Sequence, residues 1–226
     1  MLPLTDQLPT RRTPVVNIAL IVANLAVWLF YELPHPDAAI LRASFYPCAV
    51  ADACRTAEPW GVSWITAMFL HAGWSHILGN MLFLAIFGNN VEDAFGRLGY
   101  LVFYFAGGFV ATATQTAATL LLGAPADARV PTLGASGAIA AILGAYFALY
   151  PRARVLTLVL WIPLRIPAWV FLGVWFLYQL IEADFGLMSP GRGGGVAFFA
   201  HVGGFVFGLV VAGVLLRAGR IKAPAR

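Results

Sequence analysis

Long apolar segments dominate the sequence, and one of them places the tightest limit on the fold. Residues 132–150 lie between Pro131 and Pro151 and include no charged side chain. At a helical rise of about 1.5 Å per residue this segment extends roughly 28 Å, close to the ~30 Å hydrocarbon core of a bilayer. The segment therefore predicts a helix that crosses a membrane.

Composition supports the same interpretation for the whole chain. Of its 226 residues, 61% are hydrophobic and only 11% are charged, which is far from the composition of a soluble domain. The length fits one domain. The net charge of +4 comes from basic residues in loops and tails, so it is a signal of membrane orientation and predicts no nucleic-acid partner.

The sequence contains six such segments, which predicts an all-α fold: a polytopic membrane protein with a six-transmembrane-helix bundle. The predicted helices cover residues 15–31, 74–91, 100–122, 132–150, 168–181 and 196–216. A polar leader (1–14) precedes the membrane domain (15–217), and a basic tail (218–226) follows it. Proline and arginine interrupt the apolar residues 155–166, so we expect an interfacial stretch there.

The basic residues also predict the orientation. Six spans put both termini on one side, and assigning that side to the cytoplasm places ten arginine and lysine residues inside and four outside. We therefore expect a multi-pass protein of a bacterial inner membrane, with leader and tail cytoplasmic. Loop 34–63 is then outside, in an oxidising compartment, where Cys48 and Cys54 are expected to form a disulfide.

Three reactive side chains occur at equivalent places in this topology. Helices two, four and six begin at the outer surface, and they begin with His76, Ser136 and His201. An ionisable side chain in a membrane segment is costly and indicates function. Gly204 and Gly208 have the spacing that lets two membrane helices approach closely. Close packing of helices four and six would bring His201 to Ser136, where an imidazole can activate the hydroxyl.

The second predicted helix supplies further polar groups. His76 and Asn80 are four residues apart and share one face of that helix. With the backbone N–H of Ser136 they can donate hydrogen bonds to a developing oxyanion. No carboxylate lies near His201 in the sequence, so we expect a dyad of Ser136 as nucleophile and His201 as general base, without a third acidic member or a cofactor.

The residues alone leave two functions open. One is a serine hydrolase, and the other is a channel or transporter in which these polar side chains line a path. Structural roles are also typical of histidines such as His71 and His76, which can bond a loop carbonyl or a helix end. The histidine spacings match no standard zinc pattern, so no metal site is predicted.

Several spaced motifs extend over nearly the whole chain. They are His71-xxxx-His76-xxx-Asn80, Gly134-x-Ser136-Gly137, Ala200-His201-xx-Gly204-xxx-Gly208, the run Phe87-Gly88-Asn89-Asn90-Val91-Glu92-Asp93 with Gly96, and Ile162-Pro163-Leu164-Arg165-Ile166-Pro167-Ala168-Trp169. Together they resemble the rhomboid family of intramembrane serine proteases.

The resemblance implies a serine endopeptidase that lies in the lipid bilayer and cleaves transmembrane segments of single-span membrane proteins near the outer surface. It implies Ser136 as nucleophile, His201 as base, and His76 and Asn80 in the oxyanion hole. The fifth helix and the glycine-rich loop 191–195 would act as gate and cap. The alternative is a catalytically inactive rhomboid-like protein that binds membrane helices, but the presence of all four residues favours the enzyme.

Two positions depart from the family pattern. Many members have a Trp-Arg pair in the first loop where this chain has Val62 and Ser63. Many also have an aromatic residue four positions after the serine, stacked on the catalytic imidazole, where this chain has Ala140. These departures bear on how the first loop is anchored and on what packs against the His201 ring.

Overall fold

The computed structural model describes residues 1–188 and 197–222, which are mostly helical. Loop 191–195, predicted to act as a cap, lies outside the described residues. The α-helices are α1 (Val15–Val27), α2 (Pro36–Ala43), α3 (Pro47–Val50), α4 (Trp60–Thr66), α5 (Trp74–Phe83), α6 (Asn89–Phe95), α7 (Arg97–Leu122), α8 (Ser136–Leu149), α9 (Ala168–Met188) and α10 (Phe198–Arg217).

Two π-helical turns join or extend these helices. The turn Trp28–Glu32 continues α1, and the turn Leu84–Gly88 joins α5 to α6, so that 15–32 and 74–95 are each one continuous helical segment. Each of the six apolar segments predicted from the sequence therefore forms a helix. Among the described residues, Val15–Glu32, Arg97–Leu122 and Phe198–Arg217 are long and apolar enough to cross a membrane by themselves.

The other three predicted spans differ in length or shape. Trp74–Phe95 qualifies only together with Trp60–Phe69, from which it is bent by 81°. Ser136–Leu149 and Ala168–Glu182 are shorter apolar helices. In the three longer spans only 28% of the apolar window is buried inside the protein, so most of their surface is free to face lipid.

Helix α8 is shorter than the sequence predicts because it begins at Ser136. Gly134 has a φ of +120°, a conformation that side-chain-bearing residues rarely adopt, and its N–H donates to the carbonyl of Ala67 over 2.8 Å. The residues from Thr132 to Gly134 therefore lie outside the helix, and Ala135 forms the turn that begins it. The fourteen residues of α8 span roughly 21 Å at the helical rise.

The expectation of an all-α chain does not hold for one small region. Strands β1 (Leu2–Asp6), β2 (Arg154–Val159) and β3 (Ile162–Pro167) form an antiparallel sheet in the order β1-β2-β3. The stretch predicted to be interfacial is thus a hairpin, and the first residues of the predicted leader pair with it. Prolines at 163 and 167 are tolerated because β3 is an edge strand.

Asp6 connects this sheet to the helices. Its Oδ2 accepts hydrogen bonds from the hydroxyl of Tyr146 on α8 and from Nδ2 of Asn90 on α6, each over 2.7 Å. The hydroxyl of Tyr150 donates to the carbonyl of Asn90 over 3.1 Å. The end of α8 far from Ser136 is therefore held by polar contacts to two other elements.

Helix α8 lies at the centre of the bundle. Ten of its residues are buried: Ala138, Ile139, Ala140, Ala141, Ile142, Leu143, Gly144, Ala145, Tyr146 and Leu149. It packs most closely on α10, because a Cβ atom at Gly204 or Gly208 would overlap the carbonyl of Gly137 or Ala141. The close approach predicted for helices four and six is present.

Loop 34–63, which the sequence predicts to lie outside, is folded and is anchored by contacts other than a Trp-Arg pair. Cys48 and Cys54 form the disulfide expected from the sequence. Trp64 stacks on Phe45 at 5.9 Å and lies 5.8 Å from Phe109 on α7. Backbone hydrogen bonds in both directions join Phe45 to Thr132, so the loop is fastened to the segment that leads to Ser136.

Candidate functional site

Ser136 is the first residue of α8. The first N–H groups of a helix have no partner within it, and the helix dipole gives that end partial positive charge. His76 of α5 lies beside the preceding turn at Gly134, and His201 of α10 lies beside Ser136 itself. An oxygen atom that gains negative charge beside Ser136 would be stabilised there.

His201 lies directly against this serine. Its Nε2 atom is 2.8 Å from Ser136 Oγ, and the residue is buried. His201 is in the first turn of α10, and the glycines that let α10 approach α8 follow it at 204 and 208. The structure therefore brings together the two side chains predicted to form a dyad.

Three other side chains hold the imidazole of His201. Its Nδ1 atom is 2.7 Å from Oε1 of Gln179 on α9. The ring of Trp175, also on α9, lies 5.9 Å away at 38°, and Phe198 contacts the ring edge-on at 6.3 Å. Ala140 supplies no stacking ring, so the aromatic contact with His201 comes from α9 and the start of α10.

Gln179 is a site residue that the sequence analysis did not identify. In the sequence it is one residue of the predicted apolar helix 168–181. The available signal was a single amide in an otherwise apolar run, one helical turn after Trp175 and thus on the same face. A buried amide needs a partner, which marks it as a residue with a specific contact.

His76 approaches the site from the first turn of α5. Its Nδ1 atom accepts the backbone N–H of Ala72 over 3.2 Å, so in the neutral ring the proton is on Nε2, which is then a donor. The Nε2 and Cε1 atoms pack against Gly134, where a Cβ atom would lie only 2.9 Å from both. His76 is therefore held beside the turn that precedes Ser136.

Asn80 lies one helical turn further along α5. The residue is buried, and its Nδ2 atom has no hydrogen-bond partner among the described residues. A buried donor without a partner is costly, and such groups are typical of sites that bind or stabilise a ligand. Both side-chain donors predicted on α5, His76 and Asn80, are thus free to donate toward a bound group.

A buried carboxylate fixes the segment that leads into α5. Both oxygens of Glu32 accept the backbone N–H of His71, over 3.0 and 2.8 Å. The ring of His71 then meets the ring of His76 edge-on at 5.0 Å. His71 accordingly supports His76.

A small cavity adjoins Ser136. It measures about 20 Å³, room for one water molecule, and small side chains line much of it. Among them are Gly108, Ala111, Gly137 and Ala200. In the part of the chain that the structure describes, no group of three or more His, Cys, Asp or Glu side chains could hold a metal ion.

The fold and this geometry describe an integral membrane protein with a Ser–His pair at the N-terminal ends of two packed helices, α8 and α10. Residues 57–218 match the Rhomboid domain family model, which covers more than half of the chain. The chain belongs to the rhomboid family.

Similar proteins come from several eukaryotes. The chain is 26% identical over 226 residues to Rhomboid-related protein 2 of Mus musculus, an alignment that covers 90% of this chain and 68% of the relative. It is 33% identical to RHOMBOID-like protein 12, mitochondrial, of Arabidopsis thaliana, over 70% of this chain and 47% of that protein. It is also 33% identical to Rhomboid-like protease 5 of Toxoplasma gondii, over 71% of this chain but only 17% of the relative.

Proposed function

We propose that this protein is an intramembrane serine endopeptidase that cleaves transmembrane segments of membrane proteins with a Ser136–His201 dyad. The observation that carries the proposal is the 2.8 Å separation between Ser136 Oγ and His201 Nε2. This is the distance at which a general base can take the proton of a serine hydroxyl. Membership of the rhomboid family, and a relative named as a protease, support the same assignment.

In the proposed reaction, Ser136 Oγ attacks the scissile carbonyl carbon while its proton moves to His201 Nε2. The carbonyl oxygen becomes an oxyanion. Collapse of this tetrahedral intermediate breaks the peptide C–N bond, and His201 gives the proton to the leaving amine. A water molecule then hydrolyses the acyl-enzyme by the same base, which releases the new carboxylate and restores Ser136.

The oxyanion is assigned three donors. They are the backbone N–H of Ser136 at the start of α8, Nε2–H of His76 and Nδ2–H of Asn80. The hydrogen bond from Ala72 to His76 Nδ1 supports the required tautomer, and the unpartnered Nδ2 of Asn80 supports its role. Donors fixed in advance and shielded from water stabilise a developing charge more than donors in solution do.

The proposed setting is a bundle of six spans with both termini in the cytoplasm of a bacterial inner membrane, so that Ser136 lies near the outer surface. The basis is the distribution of basic residues. Substrates are single-span membrane proteins with a small residue before the scissile bond, which suits the small cavity beside Ser136. Helix α9 and the segment after it would gate access to the dyad.

The test uses full-length protein in detergent with a fluorogenic transmembrane peptide. Replacement Ser136→Ala should reduce cleavage to background, and His201→Ala should be nearly as severe because the two residues act as one unit. A serine-directed fluorophosphonate should label the wild type but not Ser136→Ala. Cleavage by Ser136→Ala at the wild-type rate would refute the dyad.

The oxyanion assignment makes a smaller prediction. Asn80→Ala and His76→Ala each remove one donor of several, for which a loss of roughly 10²-fold in turnover is typical. Both variants should still react with the fluorophosphonate. A wild type that folds and binds helical peptides but neither cleaves nor labels would instead indicate an inactive rhomboid-like binding protein.

A further inference from the structure

The structure places an acceptor at the imidazole nitrogen that the dyad does not use. Oε1 of Gln179 is 2.7 Å from His201 Nδ1, and Gln179 is buried. An amide oxygen accepts hydrogen bonds and cannot donate them. The proton of a neutral His201 ring is therefore on Nδ1, and Nε2 keeps a lone pair.

That lone pair faces Ser136 Oγ, 2.8 Å away. The opposite tautomer would direct the Nδ1 lone pair at the lone pairs of the Gln179 oxygen. It would also put a proton on Nε2, so that Nε2 could not accept the proton of Ser136. Only the Nδ1–H form is able to take the serine proton. Gln179 thus favours the tautomer that general-base catalysis needs.

Gln179 belongs to a helix that holds the ring in a second way. Trp175 is one turn earlier on the same face of α9 and packs against the imidazole at 5.9 Å. The residues around Gln179 face outward, since Leu177, Tyr178 and Leu180 are all exposed. One face of α9 therefore fixes both the plane of the His201 ring and the position of its proton.

We propose that Gln179 is a positioning residue for the reaction, which holds His201 as the Nδ1–H tautomer and stabilises the imidazolium that forms when Nε2 takes the proton of Ser136. This inference deepens the proposed function and rests on it for its kinetic consequences. The tautomer itself depends only on the contact between Gln179 and His201, so it can be tested without proteolysis.

The first experiment is nitrogen NMR of full-length protein labelled at the histidine ring nitrogens, with the His201 signals assigned from their loss in His201→Ala. The wild type should show Nδ1 protonated and Nε2 unprotonated at neutral pH. Gln179→Leu should shift the population toward the Nε2–H form, whereas Tyr178→Leu on the exposed face of the same helix should leave the signals unchanged. Identical His201 signals in wild type and Gln179→Leu would overturn the proposal.

The second experiment is kinetic. Gln179→Leu should lower kcat by roughly 10- to 100-fold with little change in KM, the range typical of a group that orients a reacting side chain. Gln179→Glu, which keeps an acceptor oxygen at the same reach, should recover most of that loss. A loss equal in both variants, accompanied by a matching fall in melting temperature, would indicate a packing role and contradict the proposal.

The two experiments separate the two proposals. If the wild type cleaves no reporter and resists fluorophosphonate, the protease assignment fails, while the NMR result still decides the role of Gln179. If the wild type cleaves but Gln179→Leu alters neither the tautomer nor kcat, the protease assignment stands and the positioning role is wrong.

Discussion

Helix α8 is enclosed by other parts of the protein, whereas helix α9 is exposed at the protein surface along much of its length. No residue of α8, all of which the structure describes, is exposed. On α9 many large side chains are exposed: Trp169, Val174, Leu177, Tyr178, Leu180 and Ile181. The two helices nevertheless contribute to one site, Ser136 from α8 and Gln179 from α9.

The difference indicates a division of roles. Ser136, the proposed nucleophile, is on the helix that the rest of the bundle fixes most firmly. Gln179 and Trp175, which contact the proposed base His201, are on a helix with few buried side chains, and the parts of a protein with low contact density open most easily. A change in α8 should therefore damage both stability and catalysis, while most changes in α9 should affect stability little.

The largest effect is expected where α8 meets α10. A Cβ atom at Gly144 would overlap the carbonyl of Phe205, and one at Gly208 would overlap that of Ala141. Either Gly→Ala replacement should force the helices apart, with a cost of about 3 kcal/mol or more. A displacement of His201 by about 1 Å should lower peptide cleavage by roughly 10²-fold.

Gly213→Ala is the matched control, because the space around Gly213 on α10 is open. Thermal unfolding in detergent and cleavage of the reporter peptide give the two readouts. Wild-type stability and activity in Gly144→Ala would contradict the view that α8 is held rigidly against α10.

An intermediate effect is expected at the other end of α8. Asp6→Ala removes the acceptor for the Tyr146 hydroxyl and for Asn90 Nδ2, which should cost about 1–3 kcal/mol in the free energy of unfolding. Asp6→Asn keeps an oxygen that can accept the Tyr146 hydroxyl and should be milder. Equal stability of Asp6→Ala and wild type would show that this contact does not hold α8.

Asp6 also predicts a pH dependence. Partial burial raises the pKa of its carboxyl above the ordinary value, since desolvation outweighs the hydrogen bonds it accepts. The protonated Asp6 carboxyl stabilises the folded protein. This contribution to the free energy of unfolding is fully present below the ordinary pKa and is lost as the pH rises through the raised pKa of the folded protein. The melting temperature of wild type relative to Asp6→Asn should therefore fall as the pH rises above the ordinary pKa of an aspartate, about 4. A constant difference would contradict this.

The smallest effect is expected on α9. Nothing lies near a Cβ atom at Gly173, so Gly173→Ala should be neutral or should stabilise the helix by about 0.5–1 kcal/mol. Denaturation in detergent, compared with that of Gly144→Ala on α8, measures this. Strong destabilisation by Gly173→Ala would mean that α9 is as tightly enclosed as α8.

The sequence was sufficient to predict the helices and to name most of the residues of the candidate site, because both depend on local pattern. Apolar runs define where each helix lies, and Ser136, His201, His76 and Asn80 are recognised by their position at the beginning of a run. The pairing of Cys48 with Cys54 followed from the predicted topology, and the structure confirms it.

The missed features all depend on contacts between distant residues. Strand β1 pairs with a segment about 150 residues later, which no local periodicity reveals. Gln179 is identified as a site residue only once α9 and α10 are placed together. The sequence predicts the start of this helix at residue 132, but α8 begins at Ser136, because Gly134 alters the backbone direction without changing the hydropathy of the run.

The sheet has a consequence for how the protein is made. Leu2 leaves the ribosome well before its partner Leu158, which is made 156 residues later. At roughly 5–20 residues per second, strand β1 waits about 8–30 s for β2. By then helices α1 to α8 have been synthesised, so β1 and Asp6 complete the assembly of helices that are already made.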